Sequence, residues 1–428
     1  MRQISPLFAV STAHPTRPSS ALSGVRMGLF LAGIAYGFAG ASTASAGPLF
    51  RFETPRASAL HRVAVFGTDD RVALPAARSG LRSSIGLLYE GRSHSVCTAF
   101  CVGEDVVATA GHCLFRTADE RPLRLQGFEF RLQPLNGPGA SSRIAGSERG
   151  AEAQHVAAGS LKLRVNPPID AASDWALLRM REPICKGHAL PISRQPESEL
   201  VKLSAAQRVY QVSYHRDFGN WELAYGAPCA IRRSFNGADW TAISKDFVDA
   251  GHVILHTCDT GGASSGSPLL IDGPAGPEVV GINVGTYLQA KVLTQRGEVV
   301  HRYKSEMVAN TAVAASAFRG TLEALVRAEI LAEKRDLKEL QRLLAQEGYD
   351  SGTRDGVYGG KLNAAIRAFE RAEGRGETGL ATAALLKRLA ALDAQRRGRG
   401  PVGLPPSDVE TGSVGSHNVT GGTARLPR

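Results

Sequence analysis

Long apolar runs and dense clusters of basic or aromatic residues are missing from this sequence. Of its 428 residues, 43% are hydrophobic and only 6% are aromatic. No apolar stretch reaches the ~18 residues of a membrane-spanning helix, which excludes a polytopic membrane protein. Ordinary apolar content excludes a wholly disordered chain. The net charge of +10 comes without a Lys/Arg stripe of the nucleic-acid-binding kind. The length is sufficient for two compact domains.

Acidic residues are absent from positions 1–46, and this part of the chain has the pattern of an export signal. Arg26 precedes an apolar stretch at 28–41, and Ala-Ser-Ala at 44–46 is typical of a cleavage site. The stretch is too short to span a bilayer well, so we expect a cleaved signal peptide rather than an anchor. The preceding residues form an unusually long start, which makes Met27 a candidate first residue, to be tested by N-terminal sequencing.

Metal-binding cysteine patterns are missing too. The six cysteines include no C-x-x-C pair and no Cys/His cluster with the spacing of a zinc site. Export favours disulfides instead, because the compartments outside the cytosol are oxidising. Six cysteines allow fifteen full pairings, and their order along the chain does not choose among them. No metal or cofactor is implied.

Changes of composition divide the rest of the chain. Residues 47–80 are rich in Arg and Ala with weak periodicity, and form an N-terminal segment or a pro-segment. Short apolar runs between Gly, Pro and Asn turns predict an all-β domain over 81–310. Helix formers then predict a helical connector over 311–336 and a compact helical domain over 337–394. The Gly/Pro/Ser/Arg-rich stretch 395–428 is typical of a disordered tail.

Three short segments of the β domain together contain the residue types that activate a serine as a nucleophile. Residues 97–114 contain His112, Asp174 stands directly before an apolar strand, and the small-residue loop 258–270 contains Ser265. A serine hydroxyl needs an imidazole to take its proton, and the imidazole needs a carboxylate to fix its tautomer. The oxyanion needs converging N–H donors from a tight turn. Each segment alone is equally compatible with a structural role, because such short motifs are common.

Taken together, the segments resemble the trypsin-like serine peptidases of chymotrypsin fold. T-A-G-H-C resembles their T-A-A-H-C, D-W-A-L-L their D-hydrophobic-A-L-L, and S-S-G-S-P the S-G-S-P of the bacterial glutamyl-endopeptidase branch. The resemblance covers roughly 83–303 and implies an all-β double-barrel domain. It makes His112 the general base, Asp174 its orienting acid and Ser265 the nucleophile. Asp170 is the alternative acid, although no apolar strand follows it directly.

The same resemblance implies a disulfide framework. One bridge corresponds to the family's histidine-loop disulfide, a second to the bridge that braces the nucleophile loop in secreted bacterial members, and the third joins the remaining two cysteines. The expected pairs are Cys97–Cys113, Cys229–Cys258 and Cys101–Cys185.

The chain departs from the family pattern beside the nucleophile. Ala263 replaces a usual Gly, and the resemblance makes its N–H an oxyanion donor together with that of Ser265. If the position needs a positive φ, Ala costs about 1 kcal/mol relative to Gly. Ser264 replaces the Asp that captures a newly cut N-terminus in trypsin-like zymogens, so we do not expect activation by that ion pair.

Two residues bear on substrate specificity. Asp259 falls where the pocket floor of trypsin carries its acid, which gives the hypothesis of cleavage after Arg or Lys. The alternative is a structural loop residue beside the Cys258 bridge. Asn283 matches the pocket histidine of glutamyl-specific members, so a Glu preference is not expected. A peptide panel in which Glu or a large apolar residue outperformed Arg and Lys would contradict the hypothesis.

The helical domain has leucines on three helix faces and resembles the three-helix peptidoglycan-binding domain of bacterial envelope enzymes. Leu340-Gln341, Gly348-Tyr349 and Asp355-Gly356 carry this resemblance. Glu370 replaces the usual Gln after a Phe, and Lys361-Leu362 is an atypical start for the second helix. A bundle that contacts a protein partner or is purely structural is therefore the alternative.

The combined expectation is a multidomain protein, with an all-β double-barrel trypsin-like domain followed by a small all-α domain. We expect an exported serine endopeptidase that acts on protein or peptide substrates and is tethered to peptidoglycan, in the periplasm and cell envelope or secreted. Nucleic acid is not an expected partner, and no integral membrane segment is expected after signal cleavage. The alternative is a wall-binding scaffold whose peptidase domain is latent or inactive.

Overall fold

The computed structural model describes residues 2–9 and 64–398, except 117–120, 123, 134–138, 161–163, 165–166, 207, 236–237, 296–297 and 303–305. Residues 10–46 of the expected signal peptide at 1–46, residues 47–63 of the 47–80 segment and residues 399–428 of the expected tail lie outside the described residues.

Strands dominate the first three quarters of the described chain and helices the last quarter. The strands are β1 (Arg2–Ala9), β2 (Val72–Ala73), β3 (Ile85–Glu90), β4 (Ser95–Cys101), β5 (Val106–Thr109), β6 (Phe115–Arg116), β7 (Arg121–Pro122), β8 (Phe128–Leu132), β9 (Ser141–Arg143), β10 (Val156–Ala158), β11 (Ala176–Arg179), β12 (Val209–Tyr214), β13 (Leu223–Gly226), β14 (Ser234–Phe235), β15 (Ala238–Asp239), β16 (Val253–His256), β17 (Pro268–Gly273), β18 (Gly276–Gln295), β19 (Glu298–Arg302) and β20 (Glu306–Ala314). The helices are α1 (Glu197–Ala205), α2 (Trp240–Ile243), α3 (Ala315–Arg327), α4 (Lys334–Gln346), α5 (Gly360–Ala372) and α6 (Ala383–Gly398).

Two large antiparallel sheets form the β region. One has the strand order β10-β11-β5-β4-β3-β8-β9, and the other β16-β20-β18-β17-β12-β13-β2, with β1 and β19 also paired to β18. Apolar side chains of both sheets, such as Phe100, Leu177, Ile282 and Val313, share one buried core. Two antiparallel sheets followed by helices confirm the expected fold class.

Helix α3 packs against this core and contributes buried side chains to it. Phe318 is fully buried, and its ring lies 6.2 Å from that of Trp175. Arg179 donates hydrogen bonds to the carbonyl oxygens of Leu325 and Ala328 at the end of α3. The expected boundary between 310 and 311 falls inside β20. The Ala-rich sequence there has helical propensity, but its register in the sheet sets its structure.

Helices α4, α5 and α6 pack around a separate apolar core that includes Leu340, Ile366 and Phe369. This helical domain touches the β region, because Arg367 Nη2 donates to Ala158 O at 2.6 Å. Leu380 is also buried in the core of the β region. Across the described ranges, no helix combines the length and apolar character needed to cross a membrane.

Candidate active site

His112 and Asp174 meet because β5 and β11 are neighbours. The two strands pair antiparallel with Thr109 opposite Ala176, so the end of β5 adjoins the start of β11. His112 lies in the turn after β5, and Asp174 lies just before β11. Nδ1 of His112 donates to Asp174 Oδ2 at 2.8 Å, and the His112 main-chain N–H donates to Oδ1, also at 2.8 Å. Both side chains are fully buried.

This pairing fixes the orientation of the imidazole ring. With its proton on Nδ1, neutral His112 offers Nε2 as an acceptor. Nε2 is buried and has no hydrogen-bond partner within the described part of the chain, so a bond to Ser265 is not formed in this structure. Such bonds are often long in ligand-free sites and tighten when substrate binds. The alternative acid, Asp170, instead accepts hydrogen bonds from Arg164.

The nucleophile loop packs directly against the strand end that leads to His112. Ser265 is 3% exposed, and its carbonyl accepts a hydrogen bond from Thr98 N at 2.9 Å. Thr98 Oγ1 donates to the carbonyl of Ala263 at 2.8 Å. A Cβ at Gly266 would lie 2.1 Å from Thr109 Oγ1, which shows how closely the backbones approach. The sequence motifs did not indicate Thr98, because its role depends on strand register.

The backbone of the nucleophile loop has the conformation of a tight turn. Ala263 has φ 79° and is 4% exposed. The N–H groups of Ala263 and Ser265 donate no hydrogen bond to any described residue, whereas the N–H groups of Ser264, Gly266 and Ser267 each donate to a carbonyl. These two N–H groups are therefore available to a ligand oxygen.

Replacing Ala263 with Gly is expected to stabilise the protein by about 1 kcal/mol, because Gly adopts a positive φ without a Cβ penalty. Urea unfolding of the two proteins measures this difference. The same replacement at exposed Ala391, in the middle of α6, is the control and should destabilise by about 1 kcal/mol. Destabilisation at both positions would contradict strain at Ala263.

Three disulfides link segments of the β region. They join Cys97 to Cys113, Cys101 to Cys185 and Cys229 to Cys258. Ligand atoms of Cys97, Cys113 and His112 lie within 4.8 Å of one another, the spacing of a metal site. Because the two sulfur atoms are bonded to each other, they lack the thiolate that a metal ion needs.

The two candidate specificity residues lie behind the nucleophile loop. Asp259 is 3% exposed, and its oxygens accept hydrogen bonds from the N–H groups of Phe66 (2.8 Å) and Asp70 (3.1 Å). These bonds favour the structural reading of Asp259. Asn283 Nδ2 donates to the Ser264 carbonyl at 3.1 Å. Asn283 therefore braces the nucleophile loop from the side of β18.

A row of polar side chains from three neighbouring strands lies beside Cys258, at the start of the nucleophile loop. The sequence motifs did not indicate these residues. His256 of β16 pairs with Asn310 of β20, which pairs with Thr286 of β18. Thr286 Oγ1 donates to Asn310 Oδ1 at 2.7 Å, and Asn310 Nδ2 donates to Cys258 O at 2.7 Å. Burial lowers the pKa of His256 to about 3. The row is therefore polar and uncharged near neutral pH.

Comparison with known proteins identifies two domains. Residues 97–282 match the family model described as "Trypsin-like peptidase domain", and residues 333–389 match the one described as "Putative peptidoglycan binding domain". These matches confirm both resemblances seen in the motifs. No curated protein matches the chain. A solved structure of a Glu endopeptidase in complex with MPD is similar at 16% identity and a TM-score of 0.35, covering 59% of this chain and 93% of that chain.

Proposed function

We propose that this serine endopeptidase acts through His112, Asp174 and Ser265 and is held at the cell wall by its helical domain. The match of residues 97–282 to the trypsin-like peptidase model and of residues 333–389 to the peptidoglycan-binding model supports this proposal. The observation that supports the catalytic part is the buried pair of His112 and Asp174, joined by two hydrogen bonds of 2.8 Å. That pair lies beside the loop of Ser265.

In the proposed reaction, these groups act in the following order. Ser265 Oγ attacks the carbonyl carbon of the scissile peptide bond while His112 Nε2 takes the hydroxyl proton. Asp174 stabilises the resulting imidazolium through Nδ1. The oxyanion accepts hydrogen bonds from the N–H groups of Ala263 and Ser265. His112 then gives its proton to the leaving amine, and water hydrolyses the acyl-enzyme by the same steps.

A fluorophosphonate probe, which reacts with activated serines, tests this proposal directly. Wild type is expected to be labelled and Ser265→Ala unlabelled. Ser142→Ala is the matched control, because it removes another buried hydroxyl, which accepts a hydrogen bond from Glu182 N at 3.0 Å outside the nucleophile loop, and it should retain labelling. Correctly folded, disulfide-bonded wild type that takes up no probe would contradict the proposal.

A folded wild type that is not labelled by the probe would favour the second candidate function, a wall-binding scaffold with a latent peptidase domain. The observation in its favour is Ala263 at φ 79°, which places a side chain in a backbone region that favours glycine. The strain falls on an oxyanion donor.

The compartment is part of the proposal. Three disulfides and a peptidoglycan-binding domain support a protein of the cell envelope or the extracellular space. The pattern Ala-Ser-Ala at 44–46 supports export through a cleaved signal.

The departure at Glu370 has a structural reason that does not involve the binding of peptidoglycan. Its carboxylate accepts hydrogen bonds from Thr378 N (2.6 Å), Thr378 Oγ1 (2.6 Å) and Gly379 N (2.9 Å). A carboxylate has more acceptor capacity than the amide of Gln, so it is suited to hold this loop before α6. Burial raises the pKa of Glu370, although these hydrogen bonds oppose the shift.

Wall binding predicts that Ser265→Ala protein, which cannot digest itself, pellets with purified sacculi and stays in the supernatant without them. A high-salt wash is the control, because the chain carries a net charge of +10 and salt screens purely electrostatic adsorption. Protein that remains in the supernatant, or is released fully by salt, would instead favour a module that binds a protein partner.

A further inference from the structure

The segment 64–73, here called the strap, crosses from the nucleophile loop to the edge of the nine-stranded sheet. Ala64 and Thr260 exchange two main-chain hydrogen bonds of 2.9 and 3.0 Å. At its other end, β2 pairs antiparallel with β13. The strap precedes the segment that matches the peptidase family model, yet it contacts the residues leading to Ser265.

The strap also satisfies the buried carboxylate of Asp259. The N–H groups of Phe66 and Asp70 donate to its two oxygens. Burial and the charge of Asp259 raise the pKa of the Asp70 carboxyl. Without the strap, Asp259 would lose the hydrogen-bond donors that the described residues supply to its oxygens. Water could not easily replace them, because Asp259 is only 3% exposed. Leaving such a charge unpaired is strongly unfavourable.

Arg71 is the charged centre of the strap. Its side chain is 3% exposed and forms ion pairs with Asp69 at 2.7 Å and Asp217 at 2.9 Å. Although burial opposes the charge, these carboxylates hold the pKa of Arg71 above its usual value. The guanidinium also lies 5.7 Å from the centre of the Phe218 ring. Arg71 thus ties the strap to the segment after β12.

Gly261 packs against this ion pair. A Cβ on Gly261 would lie 2.2 Å from Asp217 Oδ1 and 3.0 Å from Arg71 Nη1. Its N–H donates to His215 Nδ1 at 3.1 Å. Its carbonyl accepts from Ser264 N at 3.2 Å and Ser264 Oγ at 2.8 Å. The position of Gly261 therefore sets the turn that contains the oxyanion donors.

We propose that the strap is a retained part of the active peptidase and that Arg71 is a positioning residue, which holds Gly261 and thereby orients the N–H groups of Ala263 and Ser265. This inference rests on the proposed function and adds a role for a segment that the sequence leaves open as a pro-segment. In this enzyme an internal guanidinium supports the oxyanion loop, and no newly cut N-terminus is required.

The first test replaces Arg71 with Met, which keeps much of its volume but removes its charge. We expect kcat to fall by about 100-fold or more, because the oxyanion donors are displaced, with KM changed by less than about threefold. Arg71→Lys should recover part of the loss. Arg78→Met is the matched control, since Arg78 lies in the same N-terminal region and pairs with Asp272 at 2.7 Å, away from the nucleophile loop. Its kcat should stay near wild type.

Hydrogen exchange of the peptide 259–265 provides a readout independent of turnover. It should accelerate in Arg71→Met and remain unchanged in Arg78→Met. The positioning role is overturned if the wild type is active and Arg71→Met is equally active. It is also overturned if Arg71→Met and Arg78→Met lose kcat to the same extent. An inactive wild type overturns the proposed function instead, and the exchange rates then decide whether Arg71 holds the loop.

The N-terminus of the probe-labelled protein tests retention of the strap. N-terminal sequencing is expected to find a start at or before Ala64. A labelled, active chain that begins beyond Arg71 would overturn the proposal, because that enzyme would work without the guanidinium.

Discussion

Replacing Asp174 with Asn is expected to lower kcat about 10,000-fold while the protein stays folded. Asp174 accepts two hydrogen bonds, from Nδ1 and from the main-chain N–H of His112. An amide has one acceptor oxygen, so its NH2 group must face one of these donors. Turning the NH2 group toward the ring favours the tautomer with its proton on Nε2, which cannot accept the Ser265 proton. Steady-state kinetics and thermal unfolding of the purified variant measure the two effects.

The control for this prediction is Asp170→Asn, the same substitution at the alternative acid. Asp170 contacts Arg164 rather than His112, so its loss should leave kcat within a few-fold of wild type. Equal losses in the two variants, or full activity of Asp174→Asn, would show that Asp174 does not orient the base.

Replacing Gly266 with Ala is expected to destabilise the protein by more than about 3 kcal/mol and to abolish labelling of Ser265. The new Cβ would lie 2.1 Å from Thr109 Oγ1, 2.3 Å from Thr98 O and 2.9 Å from Ala110 N. These atoms belong to the strand end before His112 and to β4, so the loop must withdraw from the base. Urea unfolding gives the stability change.

Gly276→Ala separates this clash from backbone strain. Gly276 also has a positive φ, of 121°, but no atom lies within 4 Å of its Cβ position. Its replacement should therefore cost only about 1 kcal/mol and leave labelling intact. Similar losses at the two glycines would mean that φ, and not the close approach of the loop, controls stability at Gly266.

The three motifs singled out His112, Asp174 and Ser265 only when they were taken together, and the resemblance assigned the roles. The structure brings His112 and Asp174 into contact and packs the loop of Ser265 against the end of the strand before His112. The change from β texture to helix formers predicted an all-β domain followed by a helical domain, and the resemblance implied the double-barrel topology. What the motifs did not supply is the geometry between segments, because contacts such as Thr98 with Ala263 depend on strand register.

Features that depend on long-range contacts were not predictable. Arg71 and Asp217 are 146 positions apart, so the composition of the strap gave no sign of its partner. The Ala-rich sequence around 310 has helical propensity, but β20 is held between β16 and β18. Asp259 is the reverse case. Its position in the sequence, counted back from Ser265 without gaps, suggested a substrate contact, whereas in the structure its carboxylate accepts hydrogen bonds from two main-chain N–H groups.

The docking of the helical domain has a consequence for the range of substrates. Only residues 328–333 separate α3 from α4, and Arg367 contacts Ala158 O of the β region. If the proposed function is correct, no long flexible linker separates the peptidase domain from the polymer. Ser265 would then stay at a nearly constant height above the peptidoglycan. Proteins anchored at that height are presented at high effective concentration, whereas freely diffusing proteins must compete at their bulk concentration.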